Sequence, residues 1–454
     1  MSAEFFEQPI LNSPYEEPKR HWALTSDGQP TQLINEERRP ADFVTPIPKP
    51  RKTSKKKGQA EGQTAAVLDE GTGLTTADQQ YGKSAELIRA VRQEVGEWRQ
   101  LGKSLWGVTP ETARLLEYWR SGDFANERPF FCQVEAAETA IWLAEVAPNN
   151  VRGKAILSQL KAANDEANPE LFRIALKLAT GAGKTTIMAM LIAWQTVNAV
   201  RHPNSKAFTT GFLIVTPGIT IKDRLRVLRP NDPDNYYKTR QLVPMEMYED
   251  LNKAKIVITN YHAFKRREVF EISKGGREFL RGRTGDDIIT TESEGQMLQR
   301  VVPELLRMKN VMVINDEAHH CYREKPVTED EDPDGDLKGE DRKEAERNAE
   351  AARLWINGLE ALNRKVGVRN VLDLSATPFF LSGSGYVEGT LFPWVASDFS
   401  LMDAIECGIV KLPRVPIGDN VAAEEGPIFR NIWAHVGKEL PKKGRITAGE
   451  YDPL

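Results

Sequence analysis

The chain has 454 residues, of which 40% are hydrophobic and 28% charged, so it can bury the cores of two or three globular domains. It contains no uncharged apolar run of about 18 residues and no basic start followed by an apolar stretch, which argues against a membrane span and a secretory signal. The 3 cysteines are far apart and odd in number, so they predict neither a zinc site nor a disulfide framework, and we expect a cytoplasmic protein. With a net charge of −4, any binding to nucleic acid has to use local patches.

Residues 1–80 contain the proline-rich run TPIPKP followed by the basic run RKTSKKKGQ. This composition predicts a flexible or extended leader. The lysine cluster at residues 49–57 is a candidate contact for nucleic-acid backbone. No aromatic residues interleave it, however, and a solvated linker is the favoured interpretation.

Helical patterns follow the leader. Apolar residues recur at helical spacing from residue 85 to residue 101, and PETARLLEYWR has a proline in the first turn of a second helix. Residues 81–124 are therefore predicted to form a helical N-terminal segment. Further helices are expected at about residues 133–146 and 153–164.

An α/β domain is predicted over residues 125–395. Apolar runs rich in β-branched residues alternate there with amphipathic segments; the runs are FRIALKLA, FLIVTP, KIVITNY, VMVIND and NVLDLSA. Near-continuous apolar strands separated by helices indicate a parallel sheet with helices on both faces. The charged stretches at residues 265–300 and 322–345 are expected to be surface insertions.

A candidate phosphate-binding loop follows the first of these strands, where TGAG leads into the helix KTTIMAMLIAW. Small residues at Gly181, Ala182 and Gly183 let backbone N–H groups converge on phosphate oxygens, and the helix start adds positive potential. Lys184 is expected to neutralise phosphate charge and Thr185 to bind Mg²⁺.

Two acids end the strand VMVIND. We expect Asp316 to hold the water shell of Mg²⁺ and Glu317 to orient the attacking water and accept its proton. The acids could instead cap the next helix, but the loop would then lack its metal partner. Ser375, Ala376 and Thr377 end the following apolar strand, at the same predicted edge of the sheet.

In this order, T-G-A-G-K-T, D-E-A-H and S-A-T resemble the first three numbered motifs of superfamily 2 helicases. In that superfamily no glycine is required at the position of Leu178. IVTPGITIKDRL and ITNYHAF resemble the elements that contact nucleic-acid backbone, and RPFFCQVEAAE resembles the segment in which a glutamine reads adenine. Among the branches, the type III restriction enzyme Res subunit and related restriction-type DNA translocases are the most similar, over about residues 125–415. PYEEPKRHW and RRPADFVTPIPKPRK also resemble the leader of one bacterial subgroup.

The resemblance implies a RecA-like fold, an ATP-hydrolysing motor that uses Mg²⁺, and DNA bound through its backbone without sequence preference. It also implies a methyltransferase or specificity subunit as a partner and no membrane association. The implied site residues are Lys184, Asp316 and Glu317 for catalysis; Gln133, Thr180, Gly181, Ala182, Gly183, Lys184, Thr185 and Thr186 for ATP; Thr185 and Asp316 for the metal; His319, Ser375, Ala376 and Thr377 for coupling; and Thr216, Pro217, Thr259 and Asn260 for nucleic-acid backbone.

Motors of this kind pair two RecA-like domains, the second of which supplies an arginine finger. Residues 396–454 are expected to be an exit segment toward such a domain, because the roughly 30 residues at its end are too few to form one. The expectation is therefore the N-terminal portion of a larger enzyme or a truncated gene product. Alone it should bind ATP weakly and hydrolyse it slowly, since an arginine finger contributes ~10³–10⁵ in rate.

Two other functions stay open at this point: an RNA helicase or remodelling ATPase, and a nucleotide-binding module without motor activity that fixes a partner subunit.

The pattern P-D at residues 333–334 with D-R-K at residues 341–343 matches that of restriction nucleases. It lies in an acidic stretch poor in apolar residues, whereas nuclease carboxylates need a buried hairpin, so we do not interpret it as a metal site.

Overall fold

The computed structural model describes residues 3–25, 28–41, 76–122, 124–125, 128–269, 290–326, 333–335 and 337–412. The chain divides into two compact units, Met1–Val410 and Lys411–Leu454, and the elements below belong to the first. Within the described ranges, no helix combines the length and the apolar character that crossing a membrane requires. The lysine cluster at residues 49–57 and most of the predicted exit segment lie outside the described residues.

The strands are β1 (His21–Leu24), β2 (Pro30–Asn35), β3 (Arg173–Leu178), β4 (Gly211–Thr216), β5 (Lys255–Asn260), β6 (Glu268–Val269), β7 (Thr290–Thr291), β8 (Val311–Asp316), β9 (Val368–Ser375) and β10 (Val395–Phe399). The α-helices are α1 (Ala3–Glu7), α2 (Thr76–Gln100), α3 (Pro110–Ser121), α4 (Phe131–Ile141), α5 (Val151–Ala167), α6 (Lys184–Arg201), α7 (Ile219–Arg224), α8 (Tyr236–Thr239), α9 (Glu294–Val301), α10 (Glu340–Val366) and α11 (Leu401–Glu406). A π-helical turn, Trp142–Val146, extends α4.

Six strands form one parallel sheet in the order β10-β3-β9-β8-β4-β5. All five apolar runs of the sequence are strands of this sheet, and β10 is a sixth strand that the pattern did not predict. The order places β9 between β3 and β8. The loop after β3 and the acids after β8 therefore leave the same edge of the sheet, where ligands of parallel sheets bind.

Alternate side chains of the strands enter two separate cores. Phe212 and Ile214 of β4 pack in a core that includes residues of α4 and α6, whereas Leu213 and Val215 pack in a second core with α9 and α10. Both faces of the sheet are thus covered by helices, which explains why most side chains of its strands are apolar. The predicted α/β fold with a doubly covered parallel sheet is confirmed.

A buried ion pair holds the centre of the sheet. Arg173 of β3 donates from Nε to Oδ2 of Asp373 on β9 at 2.8 Å, and both side chains are 0% exposed. Asp373 also accepts from Nδ2 of Asn315 on β8 at 2.8 Å and from Nε1 of Trp394 at 2.9 Å. A desolvated pair needs such extra hydrogen bonds to offset its burial. Here they tie β3, β9 and β8 together close to the edge that carries the loop and the acids.

Two regions differ from the sequence-based expectations. Residues 3–25 and 28–41 are folded where a flexible leader was expected: β1 and β2 form an antiparallel hairpin, and Trp22 is buried. The predicted surface insertion at 265–300 ends in α9, whose Met297 and Leu298 pack in the second core. Trp22 packs edge-to-face against Phe5 of the same segment, whereas Met297 and Leu298 share the second core with residues of α10. The domain boundaries at residues 80, 124 and 395 stay predictions.

Candidate active site

The loop between β3 and α6 turns through two glycines with left-handed backbone, Gly181 at φ +87 and Gly183 at φ +86. A residue with a Cβ adopts this conformation at a cost of about 1–2 kcal/mol. A Cβ on Gly183 would also lie 2.3 Å from Nε2 of Gln133, and one on Gly181 would lie 3.0 Å from Cγ2 of Val410. Both positions therefore require glycine, while Leu178 is buried at the end of β3.

The start of α6 suits an anion. Gly183 is the N-cap residue and supplies no side-chain cap, so N–H groups of the first turn are left for a ligand such as phosphate. Thr185 in this turn has a hydroxyl oxygen, and Asp316 across the edge has a carboxylate. Hard oxygen donors of this kind are what Mg²⁺ binds, so the residues present fit a Mg²⁺–phosphate ligand.

The loop lysine and the β8 acids form one charged cluster. Nζ of Lys184 lies 2.7 Å from Oε1 of Glu317, which has left-handed backbone at φ +49. Burial raises the pKa of Asp316, the carboxylate of Glu317 raises it further, and Lys184 opposes both, so that the pKa is about 6. The structure thus brings together the three predicted catalytic residues.

Two of the residues predicted to couple the nucleotide state to the nucleic-acid side, His319 and Ser375, are in contact. Nδ1 of His319 and Oγ of Ser375 share a hydrogen bond of 2.9 Å, and the N–H of Thr377 donates to the same Oγ at 3.1 Å. Burial lowers the pKa of His319 to about 4, with a further contribution from His320, so the imidazole is neutral near pH 7. The segment after β8 is therefore linked directly to the turn after β9, which contains Ala376.

Gln133 lies against the phosphate loop and is 2% exposed. Its Oε1 accepts from the N–H of Phe130 at 3.1 Å, and its Nε2 donates to the carbonyl oxygen of Ala182 at 2.9 Å. The amide thus ties the start of α4 to the loop. Recognition of adenine by Gln133 stays a prediction, because both ends of the amide contact protein backbone here.

The residues predicted to contact nucleic-acid backbone lie at the ends of neighbouring strands, with Thr216 of β4 opposite Asn260 of β5. The buried hydroxyl of Thr216 donates to a carbonyl oxygen two residues on, at 2.9 Å, across the turn that contains Pro217. The hydroxyl of Thr259 is 3.4 Å from the carbonyl oxygen of Asn260, whose own side chain accepts an N–H three residues on, at 3.1 Å. These groups brace the turns at the sheet edge, and their contact with a nucleic acid stays a prediction.

Two arginines near the loop were missed by the sequence reasoning. Nη1 of Arg240 is 3.5 Å from Oγ1 of the buried Thr186, and its guanidinium lies over the ring of Tyr236. Arg224, at the end of α7, is close enough to lower the pKa of Asp316. Arg240 belongs to no recognisable motif, whereas Arg224 lies in the run IVTPGITIKDRL, which was interpreted only as a contact for nucleic-acid backbone. Thr180, at the start of the loop, is exposed.

The nuclease-like pattern does not lie on a hairpin. Asp334 accepts the N–H of Gly383 at 2.7 Å within an irregular segment, and Asp341 lies in the first turn of α10. In the described part of the chain, no group of three or more His, Cys, Asp or Glu side chains is placed to hold a metal ion.

The family model for the type III restriction enzyme, res subunit, matches residues 132–380, more than half of the chain. The match spans the phosphate loop, the β8 acids and the turn after β9. No curated protein and no solved structure matches the chain. The chain therefore belongs to the type III restriction enzyme res subunit family and contains its RecA-like, helicase-type ATPase motor domain.

Proposed function

We propose that the chain hydrolyses ATP at the cluster of Lys184, Asp316 and Glu317 and uses the cycle to translocate on DNA. The observation that supports this most is the 2.7 Å contact between Lys184 and Glu317 at the edge of the sheet where the glycine turn and α6 begin. A lysine for phosphate and a carboxylate for water are thereby within reach of one another. That is the arrangement a phosphate hydrolase needs.

The ion pair between Lys184 and Glu317 also suggests how ATP binding prepares the site for hydrolysis. Lys184 and Glu317 neutralise each other while no phosphate is present. When ATP places its phosphates against the N–H groups of the loop, Lys184 exchanges the carboxylate for phosphate oxygens, because these carry more charge. Glu317 is then free to orient a water molecule and accept its proton. Thr185 and Asp316 would hold Mg²⁺, whose charge neutralises the phosphate oxygens.

The contact between His319 and Ser375 is the proposed link to movement. If hydrolysis shifts the end of β8, the hydrogen bond between His319 and Ser375 changes, and the turn after β9 changes its position. The ends of β4 and β5, with Thr216 and Thr259, lie on the same edge of the sheet and are the proposed DNA contacts. Family membership favours DNA over RNA and a DNA methyltransferase or specificity subunit as the partner.

The test is steady-state ATP hydrolysis by the chain alone, with duplex DNA and with RNA. We expect DNA to stimulate hydrolysis, Lys184→Ala to abolish it, and Lys253→Ala to leave it unchanged, since Lys253 is exposed at the end of a 3-10 helix away from the motifs. Stimulation by RNA in place of DNA would contradict the DNA motor. ATP binding that depends on Lys184 without any turnover would indicate a non-motor nucleotide-binding module.

A further inference from the structure

The N-terminal strap, defined here as residues 3–25 and 28–41, contacts both elements that border the phosphate loop. Its docking side chains come from PYEEPKRHW and RRPADF, two runs that the ATPase chemistry does not use. One contact is made on α4, which carries Gln133, and the other on α11, which precedes Val410. Gln133 and Val410 each contact the phosphate loop.

The contact with α4 is a buried, bidentate ion pair. Nη1 and Nη2 of Arg38 donate to Oε1 and Oε2 of Glu135 at 2.6 Å each, and the guanidinium lies over the ring of Phe131, 5.5 Å from its centroid. Glu17 of the strap joins Arg38 at 3.1 Å to Arg99 of α2 at 3.4 Å. Paired planar groups of this kind fix one relative orientation of the strap and the helix.

Phe131 and Glu135 enclose Gln133 within the first turns of α4. Because the Gln133 amide donates to the carbonyl oxygen of Ala182, any movement of this helix end moves the phosphate loop with it. The contact is tight, since there is no room for a Cβ on Gly183 beside the same amide. Arg38 thus acts on the loop through two contacts in series.

The contact with α11 converges on Glu406, the last residue of that helix. Nη2 of Arg39 is 2.5 Å from its Oε1, the N–H of Trp22 donates to the same oxygen at 3.0 Å, and the N–H of Leu11 donates to its carbonyl oxygen at 2.7 Å. The chain then turns back, and the N–H of Val410 donates to an α11 carbonyl oxygen at 3.1 Å. Val410 lies against Gly181 of the loop, whereas Gln133 lies against Gly183.

We propose that the N-terminal strap is a positioning element of the ATP site, in which Arg38 and Arg39 hold the two borders of the phosphate loop at the spacing that ATP requires. The proposal rests on the proposed function, because it assumes that ATP binds at this loop. The loop itself is mostly glycine and alanine, so its geometry depends on what borders it. The strap touches no substrate; Arg38 and Arg39 are positioning residues.

The experiment measures the dissociation constant of a fluorescent Mg·ATP analogue, together with KM and kcat for ATP, on the full chain well below its unfolding temperature. Arg38→Gln is the test variant. Arg152→Gln is the matched control, because the Arg152 side chain is 70% exposed and pairs with Glu94 on the surface. We expect Arg38→Gln to raise the dissociation constant and KM by between roughly 5-fold and 100-fold with a smaller change in kcat. Arg152→Gln should change neither constant.

Two further variants separate positioning from folding. Arg38→Lys keeps the charge but not the bidentate geometry, so its affinity for the analogue should lie between the wild type and Arg38→Gln. Glu17→Gln removes only the negative charge of a side chain that is 41% exposed and leaves the core intact, so it should stay folded even if Arg38→Gln does not. It should weaken binding of the analogue by roughly 2-fold to 5-fold, the lower end of typical coupling.

The outcomes are distinct. Folded Arg38→Gln and Glu17→Gln variants that bind the analogue as tightly as the wild type would overturn the strap proposal, even if their unfolding temperatures fall. If the wild type binds the analogue and Lys184→Ala does not, the proposed ATP site stands whatever the strap variants do. If the wild type and Lys184→Ala bind equally weakly, the ATP site and the strap proposal are both overturned.

Discussion

Replacing Gly183 by alanine tests the geometry of the phosphate loop. The new methyl group would sit 2.3 Å from Nε2 of Gln133, well inside van der Waals contact, on a residue held at φ +86. The Gln133 amide cannot move aside freely, because it bonds to Phe130 and Ala182 at 3.1 and 2.9 Å. The substitution therefore strains the backbone and also breaks the link between α4 and the loop.

The expected loss in free energy of unfolding is the sum of the backbone strain and the lost hydrogen bonds. Left-handed backbone costs an alanine about 1 kcal/mol at least. Loss of the two hydrogen bonds costs about 1 kcal/mol each. We expect Gly183→Ala to lower the free energy of unfolding by about 3 kcal/mol in the wild type but by only about 1 kcal/mol in a Gln133→Ala background, a coupling of about 2 kcal/mol.

Urea unfolding of the wild type, the two single variants and the double variant measures this coupling. Gly96→Ala is the matched control, since Gly96 lies in α2 with nothing within 4 Å of a built Cβ, and alanine there should be neutral or stabilising. The reasoning is refuted if Gly183→Ala costs the same in both backgrounds to within about 0.5 kcal/mol.

Three further predictions concern the sheet, the strap and the coupling contact. Arg173→Met leaves Asp373 buried without its cation and should lower the free energy of unfolding by about 3–5 kcal/mol in urea titrations; a loss below about 1 kcal/mol would contradict the assignment of the central ion pair. Burial raises the pKa of Glu135, but Arg38 outweighs it and the pKa falls from 4.5 to about 2. Ionised Glu135 should therefore add about 3 kcal/mol to the free energy of unfolding above pH 4.5, and this contribution should disappear as the pH falls toward 2. The difference in free energy of unfolding between the wild type and Glu135→Gln must shrink over the same pH range. Ser375→Ala removes the bond to His319 and should reduce stimulation of ATP hydrolysis by DNA more than basal hydrolysis; equal loss of both rates would show that the contact has no coupling role.

The strands that the sequence predicted contain runs of apolar residues, because helices cover both faces of the sheet. The run VMVIND, for example, coincides with β8. β10 was missed for the opposite reason. Its sequence VASDF contains Ser397 and Asp398, and the buried acid is paired with Nζ of Lys177 on the neighbouring strand at 2.7 Å. A local pattern has no information about a partner that is more than 200 residues away.

Some features of the candidate active site were also predictable from the sequence, and others were not. The order of glycine turn, lysine, acids and Ser-Ala-Thr turn was enough to predict that Lys184, Asp316 and Ser375 share one edge, because parallel strands end together. The contacts between side chains were not predictable. Nothing in the sequence indicates that Lys184 pairs with Glu317 or that Gln133 holds Ala182. In the leader, the proline- and lysine-rich composition predicts a flexible segment. It gives no sign that Arg38 is buried against Glu135.

Lys184 and Glu317 are proposed to exchange partners when ATP binds. Mg·ATP affinity and single-turnover hydrolysis of the wild type, Lys184→Ala and Glu317→Gln test this exchange. We expect Lys184→Ala to lose both binding and hydrolysis. We expect Glu317→Gln to bind ATP at least as tightly as the wild type, because its lysine is already free, and to hydrolyse it at least ~100-fold more slowly, because it lacks the proton acceptor. Hydrolysis by Glu317→Gln at the wild-type rate would show that Glu317 does not take up this role.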